Sequence, residues 1–169
     1  HGIGYVPADR LTEGLFLPQS INYNVVVSKL DKHAGKLGLL NRGKIEAEVE
    51  KWIRDLSIRT NNATRPVQTL SGGNQQKVIL ARWLATDLKV LILNGPTVGV
   101  DIGAKYDIHA RIRELAEQGL AVIMISDDLP EVLTNCNRVL VMRGGKIAGS
   151  MNADETDEKQ LAEIATNIN

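Results

Sequence analysis

Two short, predominantly apolar runs separated by a helical stretch constrain the fold of this 169-residue chain most strongly. The runs are KVLIL, Lys89–Leu93, and AVIMIS, Ala121–Ser126. Glycine and proline follow the first run, and the segment from Ala104 to Gln118 then has the length and composition of a helix. Apolar strands that alternate with helices are typical of parallel strands covered on both faces. The sequence therefore predicts an α/β fold in which both runs are buried strands.

The remaining segments add helices before this region and a hairpin after it. The opening GIGYV predicts a strand at Ile3–Val6, and the region from Ser20 to Ala85 is mostly helical in pattern. Within that region, Lys44–Leu56 places apolar residues at helical spacing and charged residues on the other face. RVLVMRGGKIAGS predicts two strands that flank Gly144 and Gly145 in a hairpin. The tail, Asp154–Ile168, predicts a charged helix.

These patterns divide the chain into four segments. Residues 1–19 hold a strand and an irregular stretch, 20–86 a helical subdomain, 87–150 an α/β core with its hairpin, and 151–169 a C-terminal helix. The helical subdomain therefore precedes what looks like the trailing half of an α/β sheet.

Composition excludes several function classes. Twenty basic and twenty acidic residues cancel to a formal net charge of zero, which argues against a nucleic-acid partner. A single cysteine, Cys136, excludes an intramolecular disulfide and a multi-cysteine metal site, and we expect it to be a small buried residue. No apolar run is long enough to span a bilayer, which favours a soluble chain.

The stretch LSGGNQQK carries the clearest chemical signal. Ser71, Gly72 and Gly73 stand where a helix would expose unpaired N–H groups and the positive end of its dipole, an arrangement that binds phosphate. Glycine would let the backbone approach a ligand closely. The alternative is a plain serine cap in a glycine-rich turn, since serine caps are common.

LSGGNQQKVILARWLATDLKVLILNGPTVGVDIGAK resembles the block from the signature motif to the D-loop of ATP-binding cassette (ABC) subunits. Its NQQK and GAK are similar to simple-sugar importers of the ribose, galactoside and arabinose type. Upstream, GIGYVPADRLTEGLFLPQSI resembles the segment after the Q-loop strand in the second cassette of those tandem subunits. Downstream, VIMISDDLPEVLTNCNRVLVMRGGKIAG resembles their switch region and closing hairpin. The resemblance extends from Gly2 to Gly149 and implies the distal half of an ABC-type P-loop NTPase core with a helical subdomain.

The resemblance also implies where the rest of the phosphate site lies. In ABC ATPases the signature helix caps the γ-phosphate of ATP held by the P-loop of another cassette. This assigns Ser71, Gly72, Gly73 and Gln75 to a nucleotide bound in trans, and Asp101 matches the D-loop aspartate at the same interface. ATP and Mg²⁺ are then expected in the complete dimeric site, with no cofactor bound to this chain alone.

A P-loop of the chain's own is harder to find. GLLNRGKI, Gly38–Ile45, has the G-x-x-x-x-G-K spacing, but it ends in isoleucine where serine or threonine would meet magnesium, and no apolar strand precedes it. We interpret it as a turn before the amphipathic helix. The true P-loop is expected N-terminal to His1, in a chain cut from a longer subunit or truncated.

Other positions that would serve the chain's own nucleotide also depart from the family pattern. Asn94 and Gly95 stand where an aspartate supports magnesium and a glutamate polarises water, so the sequence predicts weak metal binding and no general base. Asp127 occupies the switch-histidine position, and Ala8 stands at the Q-loop glutamine. No intact catalytic residue or metal site is therefore expected, and we predict that the chain alone does not hydrolyse ATP.

The remaining distinctive residues favour structural interpretations. Trp52 and Trp83 lie on predicted helices and are expected to be core or interface anchors. His33 and His109 have no ligand partners nearby in the sequence and are expected at the surface. The acidic stretch from Asp154 is expected to be a solvated helix face.

The leading hypothesis is thus part of the ATP-binding subunit of a carbohydrate importer, cytoplasmic and peripheral on the inner face of a bacterial plasma membrane. The resemblance implies two partners, an N-terminal cassette or second ATPase subunit and a sugar permease, with Gln19–Val27 as the permease-facing segment. Two alternatives remain: a non-catalytic interaction module and the remnant of a truncated gene. An incomplete sheet would also expose apolar surface, so self-association of the chain is expected.

Overall fold

The computed structural model describes residues 2–34 and 38–166, which form two compact units. The first unit comprises residues 1–123 and the second 124–169, so the boundary falls within a strand. The four-segment division remains a prediction. None of the described helices is long and apolar enough to cross a membrane.

The first unit begins with β1, Ile3–Val6, and a π-helical turn, Arg10–Gly14. Its helices are α1, Ile21–Val26, α2, Leu30–His33, α3, Arg42–Asp55, α4, Gly72–Leu84, and α5, Ile102–Glu117, with strand β2, Val90–Asn94, between α4 and α5. Short 3₁₀ turns occupy Val27–Lys29 and Val67–Thr69. Strand β3, Ala121–Ile125, follows α5. The order of strands and helices expected from the sequence is therefore confirmed.

Helix α4 is the centre of the first unit. Its residues from Gln75 to Arg82 are all buried, and Val78, Ile79 and Leu80 are at most 1% exposed. Each such aliphatic side chain contributes about 1.5–3 kcal/mol by leaving water. Helix α1 packs against α4 and α3, so the N-terminal end of α4 is fixed by the core behind it.

A buried polar cluster joins α4 to α1. The Arg82 guanidinium donates to the Asn24 carbonyl at 2.7 Å, the Asn24 Oδ1 at 2.8 Å and the Gly14 carbonyl at 2.7 Å. Asn24, fully buried, also accepts from the Phe16 backbone N–H at 2.9 Å. Burial lowers the pKa of Arg82 to about 10, so the guanidinium stays charged at neutral pH. Its hydrogen bonds satisfy groups whose loss of water would otherwise be unfavourable.

The sheet of the first unit has the order β1-β2-β3, with β1 and β2 parallel and Tyr5 opposite Ile92. Val6, Leu91 and Leu93 are buried on one face. The apolar side chains exposed on β1 and β3 are Ile3 (58%), Tyr5 (44%), Ile123 (52%) and, within the second unit, Ile125 (50%). The expectation that AVIMIS is a buried strand is therefore wrong. An apolar run reports a preference for burial, not the presence of a covering layer.

The histidine assignments also need correction. His33 and His109 are only 8% and 6% exposed, so the expectation that they lie at the surface is wrong. The His33 Nε2 lies 2.7 Å from the Glu48 Oε2 of α3, and the Lys29 Nζ lies 2.9 Å from Oε1 of the same carboxylate. The partner of His33 is thus fifteen positions away in sequence, on another helix.

The second unit is a hairpin covered by two helices. Helix α6, Leu129–Asn135, precedes β4, Arg138–Arg143, and β5, Lys146–Asn152, which pair antiparallel. A 3₁₀ turn, Ala153–Glu155, leads to α7, Glu158–Thr166. The core of the unit consists of Val132, Val139, Val141, Ala153 and Leu161.

The hairpin turn confirms the glycine prediction. Gly144 and Gly145 have φ of 55° and 74°, the left-handed conformation that a two-residue turn requires at both positions. The expected tail helix is confirmed in α7, although it is shorter than predicted and residues 167 and 168 lie outside the described residues. Cys136 is half-buried against the core, and burial raises the pKa of its thiol.

Candidate functional site

The N-terminal ends of α4 and α5 meet around an open, polar cavity of about 180 Å³. Ser71, Gly73 and Asp101, three of the residues expected to contact nucleotide, line it together. The other lining residues are Arg59, Asn74, Lys77, Gly103, Ala104 and Asp107. The chain thus brings residues that are 30 positions apart in sequence into one cavity.

Ser71 is the N-cap residue of α4, but its side chain does not cap the helix. Its side chain accepts no hydrogen bond from the backbone of the first turn. Instead, the Asn74 Nδ2 donates to the Ser71 Oγ at 2.8 Å, while the Asn74 Oδ1 accepts from the Arg59 backbone N–H at 2.7 Å. Because Oγ accepts from Asn74, the hydroxyl hydrogen can be donated to a ligand. In a plain serine cap, a backbone N–H of the first turn donates to the serine Oγ; at Ser71 none of them does.

The two glycines of the motif allow helix and loop to pack closely. A Cβ added to Gly73 would lie 2.5 Å from the Cβ of Ala104, and one added to Gly72 would lie 2.8 Å from the Gly99 carbonyl oxygen. Both distances are too short for any side chain. The sequence argument assigned these glycines to a ligand, which remains a prediction; in this structure Gly73 packs against α5 and Gly72 against the loop that leads into it.

Asp101 is the N-cap of α5. Its Oδ1 accepts from the Ala104 backbone N–H at 2.9 Å, and the residue is exposed at the cavity rim. A carboxylate at this position also stabilises the positive end of the α5 dipole.

Lys77 places a buried positive charge beneath the cavity. It is 6% exposed, and its Nζ lies 2.9 Å from the Asp107 Oδ2 of α5. The ion pair therefore ties α4 to α5 and balances the lysine charge. Sequence reasoning did not find Lys77, Asp107, Asn74 or Arg59, because the contacts that define them cross between elements.

Gly72 and Gln75 do not line the cavity. Gln75 is 7% exposed, its Nε2 donates to the Leu70 carbonyl at 3.2 Å and its Oε1 accepts from the Arg10 Nε at 3.4 Å. Gln75 thus supports the start of α4 from behind. Its direct contact with a nucleotide remains a prediction.

The end of β2 has a different geometry. Asn94 donates from Nδ2 to the Tyr5 hydroxyl at 3.3 Å. Gly95 has φ of 57°, and a Cβ there would lie 2.9 Å from Val98 Cγ2 and 3.8 Å from the Cβ of Ala8. A glutamate in this backbone would be strained, so the turn is built for glycine and not merely lacking a side chain.

The P-loop look-alike and Asp127 lie elsewhere. Gly38 has φ of 72°, the Asn41 side chain caps α3 by accepting from the Lys44 N–H at 3.1 Å, and Gly43 and Lys44 lie within the helix. This agrees with a turn before a helix; residues 35–37 are outside the described residues. Asp127 is exposed in the second unit, directly before the α6 cap Asp128. Among the described residues, no group of three or more His, Cys, Asp or Glu could hold a metal ion.

The tryptophans are half-buried on their helices. Trp83 packs against Gly4 of β1, where a Cβ would lie 3.1 Å from the Trp83 Cβ. The Lys51 Nζ lies 4.6 Å from the centroid of the Trp52 ring. The position of Trp83 suits the anchoring role expected from the sequence, whereas that role stays a prediction for Trp52.

Comparison with known proteins shows similarity to the ABC transporter family. The sequence profile of the ABC transporter family matches residues 1–98. The ribose import ATP-binding protein RbsA of Clostridium perfringens (strain SM101 / Type A) is 41% identical over 169 residues, covering 100% of this chain and 34% of that protein. The arabinose import ATP-binding protein AraG 1 of Burkholderia thailandensis is 47% identical over 167 residues, covering 98% and 33%. The chain spans about one third of the length of the curated relatives it matches.

Solved structures agree on the fold. The ATP-binding cassette MJ0796, in a dimeric post-hydrolysis state bound to ADP and Pi, has a TM-score of 0.75 at 20% identity and covers 89% of this chain and 62% of that one. An inward-facing metal-chelate type ABC transporter has a TM-score of 0.79 at 19% identity, with 96% and 62% covered. Together with the parallel pairing of β1 and β2, these likenesses confirm the expected α/β fold class.

Proposed function

The chain belongs to the ABC transporter family, and we propose from this that it is part of the ATP-binding subunit of a carbohydrate importer. In that role it completes, through the N-terminal end of α4, an ATP site whose P-loop lies on a partner cassette. The names of the ribose and arabinose relatives support the sugar assignment. The dimeric state of the cassette MJ0796 supports a site shared between two cassettes.

The observation that carries the proposal is the state of Ser71. A serine side chain that caps its own helix would accept a hydrogen bond from a backbone N–H of the first turn, whereas here the Ser71 Oγ accepts from the Asn74 side chain. Ser71, Gly73 and Asn74 line an open cavity. Hydroxyl and backbone donors at a helix start suit the terminal phosphate of a nucleotide. The charges of Arg59 and Lys77 in the cavity lining are matched by those of Asp101 and Asp107, so the proposal depends on hydrogen-bond donors and not on net charge.

The proposed division of labour is asymmetric. Asn94 and Gly95 supply neither the carboxylate for Mg²⁺ nor a general base, and the backbone at Gly95 suits glycine. In the proposal, ATP and Mg²⁺ bind in the complete dimeric site and the partner cassette hydrolyses the nucleotide. Nucleotide binding closes the pair, hydrolysis reopens it, and the movement reaches a membrane permease.

The proposed location follows from the same role. The subunit is cytoplasmic and lies on the inner face of a bacterial plasma membrane, with the segment from Gln19 to Val27 towards the permease. This segment contains the exposed Tyr23 ring, whose centroid lies 5.6 Å from that of Phe16. A small exposed aromatic pair suits contact with a protein partner.

A chimera tests the proposal. This chain replaces the matching third of the C. perfringens ribose import protein, and ATP hydrolysis is measured for the chimera and its Ser71→Ala variant. We expect kcat to fall about 100-fold in the variant, the effect of removing one donor from charge developing in the transition state. The matched control is Ser28→Ala, at an exposed serine after α1.

Two results would contradict the proposal. One is an inactive chimera, which favours the alternative of a non-catalytic interaction module. The other is an active chimera in which Ser71→Ala and Ser28→Ala have the same rate.

A further inference from the structure

Arg10 bridges the start of α4 and the loop before α5, behind residues that line the cavity. Its Nη1 donates to the Val98 carbonyl at 2.7 Å and its Nη2 to the Gly99 carbonyl at 3.1 Å. Its Nε faces the Gln75 Oε1 at 3.4 Å. These three acceptors lie 65 to 89 positions away, on α4 and on the loop before α5.

The guanidinium occupies space that the motif glycine leaves. A Cβ added to Gly72 would lie 2.7 Å from the Arg10 Nη2 and 2.8 Å from the Gly99 carbonyl oxygen. Gly99 itself has φ of 66° and would meet Arg10 Nη1 at 3.2 Å if it carried a Cβ. The glycines and the arginine therefore form one packed arrangement at the start of α4.

The turn that carries Arg10 is anchored at both ends. At the start, the Asp9 Oδ1 accepts from the backbone N–H groups of Leu11 at 3.0 Å and Thr12 at 3.2 Å, and the Thr12 hydrogen bonds lower the pKa of the Asp9 carboxyl. At the end, the Gly14 carbonyl accepts from Arg82. A Cβ on Gly14 would lie 2.8 Å from Ile79 Cδ1, so the turn packs directly on α4.

From these contacts we propose that Arg10 is a positioning residue for the cavity. It holds the 98–99 carbonyls against the start of α4 and thereby sets the separation of Ser71 and Gly73 on one side from Asp101 on the other. The inference rests on the proposed function for its catalytic consequence, but its structural part stands alone. A planar guanidinium can donate to several acceptors in one plane, which the point charge of a lysine cannot reproduce.

The first test is amide hydrogen exchange on this chain, comparing wild type with Arg10→Ala, Arg10→Lys and the control Arg42→Ala, at an exposed arginine on α3. The amides of Val98 and Val100, which donate to Gly95 and Thr97, should exchange about tenfold faster in Arg10→Ala, the effect of losing charge-assisted hydrogen bonds. Arg10→Lys should fall between. The Arg42→Ala control should leave these amides unchanged, and wild-type exchange at both amides in Arg10→Ala and Arg10→Lys would overturn the proposal.

The second test uses the chimera. Because Arg10 does not line the cavity, Arg10→Ala should lower kcat about tenfold with KM for ATP within about twofold, and Arg10→Lys should recover part of kcat. Equal rates for all three proteins would overturn the catalytic consequence. An inactive wild-type chimera would contradict the proposed function, while the exchange measurement would still decide the role of Arg10. If Arg10→Ala does not fold, Arg10→Lys carries both tests.

Discussion

The start of α4 and the end of β2 both depend on glycine, but for different physical reasons. At Gly73 the backbone is an ordinary helix, and glycine is required because Ala104 of another helix lies too close. At Gly95 the backbone is left-handed, with φ of 57°. Packing between two helices requires glycine in the first region, and the backbone torsion angles require it in the second. A substitution should therefore lower stability through steric overlap at Gly73 and through a disfavoured φ at Gly95.

The packing requirement at Gly73 predicts the largest effect. Gly73→Ala places two Cβ atoms 2.5 Å apart in a tightly packed junction and should lower the free energy of unfolding by about 3 kcal/mol. Denaturant unfolding measures this. Adding Ala104→Gly should recover most of the loss, since it removes the opposing methyl group.

Gly43 of α3 provides the matched control. It also lies in the first turn of a helix, but its added Cβ would meet only Asn41 Oδ1, at 3.7 Å. Gly43→Ala should leave stability unchanged or raise it by about 0.5 kcal/mol. Equal losses for Gly43→Ala and Gly73→Ala would show that the contact with Ala104 is not what requires glycine at position 73.

The torsional requirement at Gly95 predicts an intermediate effect. Gly95→Ala should lower the free energy of unfolding by about 1–2 kcal/mol, because a Cβ disfavours positive φ. Gly95→Asn should lose less, since asparagine tolerates this conformation. Thermal or denaturant unfolding of the two variants measures the difference, and a larger loss for asparagine would assign the requirement to the contact with Val98.

Sequence reasoning succeeded where the signal is local. The runs at Lys89–Leu93 and Ala121–Ser126, the hairpin glycines and the amphipathic α3 each announce their structure within a few residues. The family resemblance pointed to Ser71, Gly73 and Asp101, which line one cavity in the structure. Local pattern therefore located both strands, whereas the role of the motif residues towards a nucleotide stays a prediction.

It failed where the structure depends on distant partners. His33 is buried with its Nε2 2.7 Å from the Glu48 Oε2 on another helix, and Arg10 finds its acceptors 88 and 89 residues away. Ile123 is half-exposed although its run is apolar. No local pattern encodes these pairings or the exposure of Ile123 on β3.

A smaller loss of stability is expected from a substitution in α3, which belongs to neither region. Burial alone would raise the pKa of Glu48, but the hydrogen bond and charge of Lys29, with His33 nearby, outweigh burial and lower it. A carboxyl group whose pKa is lower in the folded protein than in the unfolded chain stabilises the fold at pH values above its unfolded pKa. This stabilisation is lost as the pH falls through the folded pKa. Glu48→Gln should therefore cost about 1 kcal/mol at pH 7 and less at pH 3.

Urea unfolding at the two pH values measures this, with exposed Glu46→Gln on the same helix as control. In a double variant with Gly73→Ala the two losses should add, because the sites share no partner. Strong non-additivity would mean that the cavity end of α4 and the α3 ion pair are coupled, which would weaken the separation of regions drawn above.

The smallest effect is expected at Asn94. Asn94→Asp restores one carboxylate at the end of β2, where the Tyr5 hydroxyl can donate to it as readily as it accepts from asparagine. Stability should change by less than about 0.5 kcal/mol.

One carboxylate holds Mg²⁺ only together with nucleotide phosphates and water. In addition, Gly38–Lys44 leads into α3 and not into a phosphate-binding helix that follows a strand. Calorimetric titration with Mg·ATP, alongside the same titration in EDTA, should therefore show no binding up to about millimolar nucleotide for wild type or variant. Magnesium-dependent binding gained by Asn94→Asp alone would mean that one added carboxylate is sufficient for the end of β2 to bind Mg·ATP. The backbone there would then be arranged to bind nucleotide, as is proposed for the start of α4.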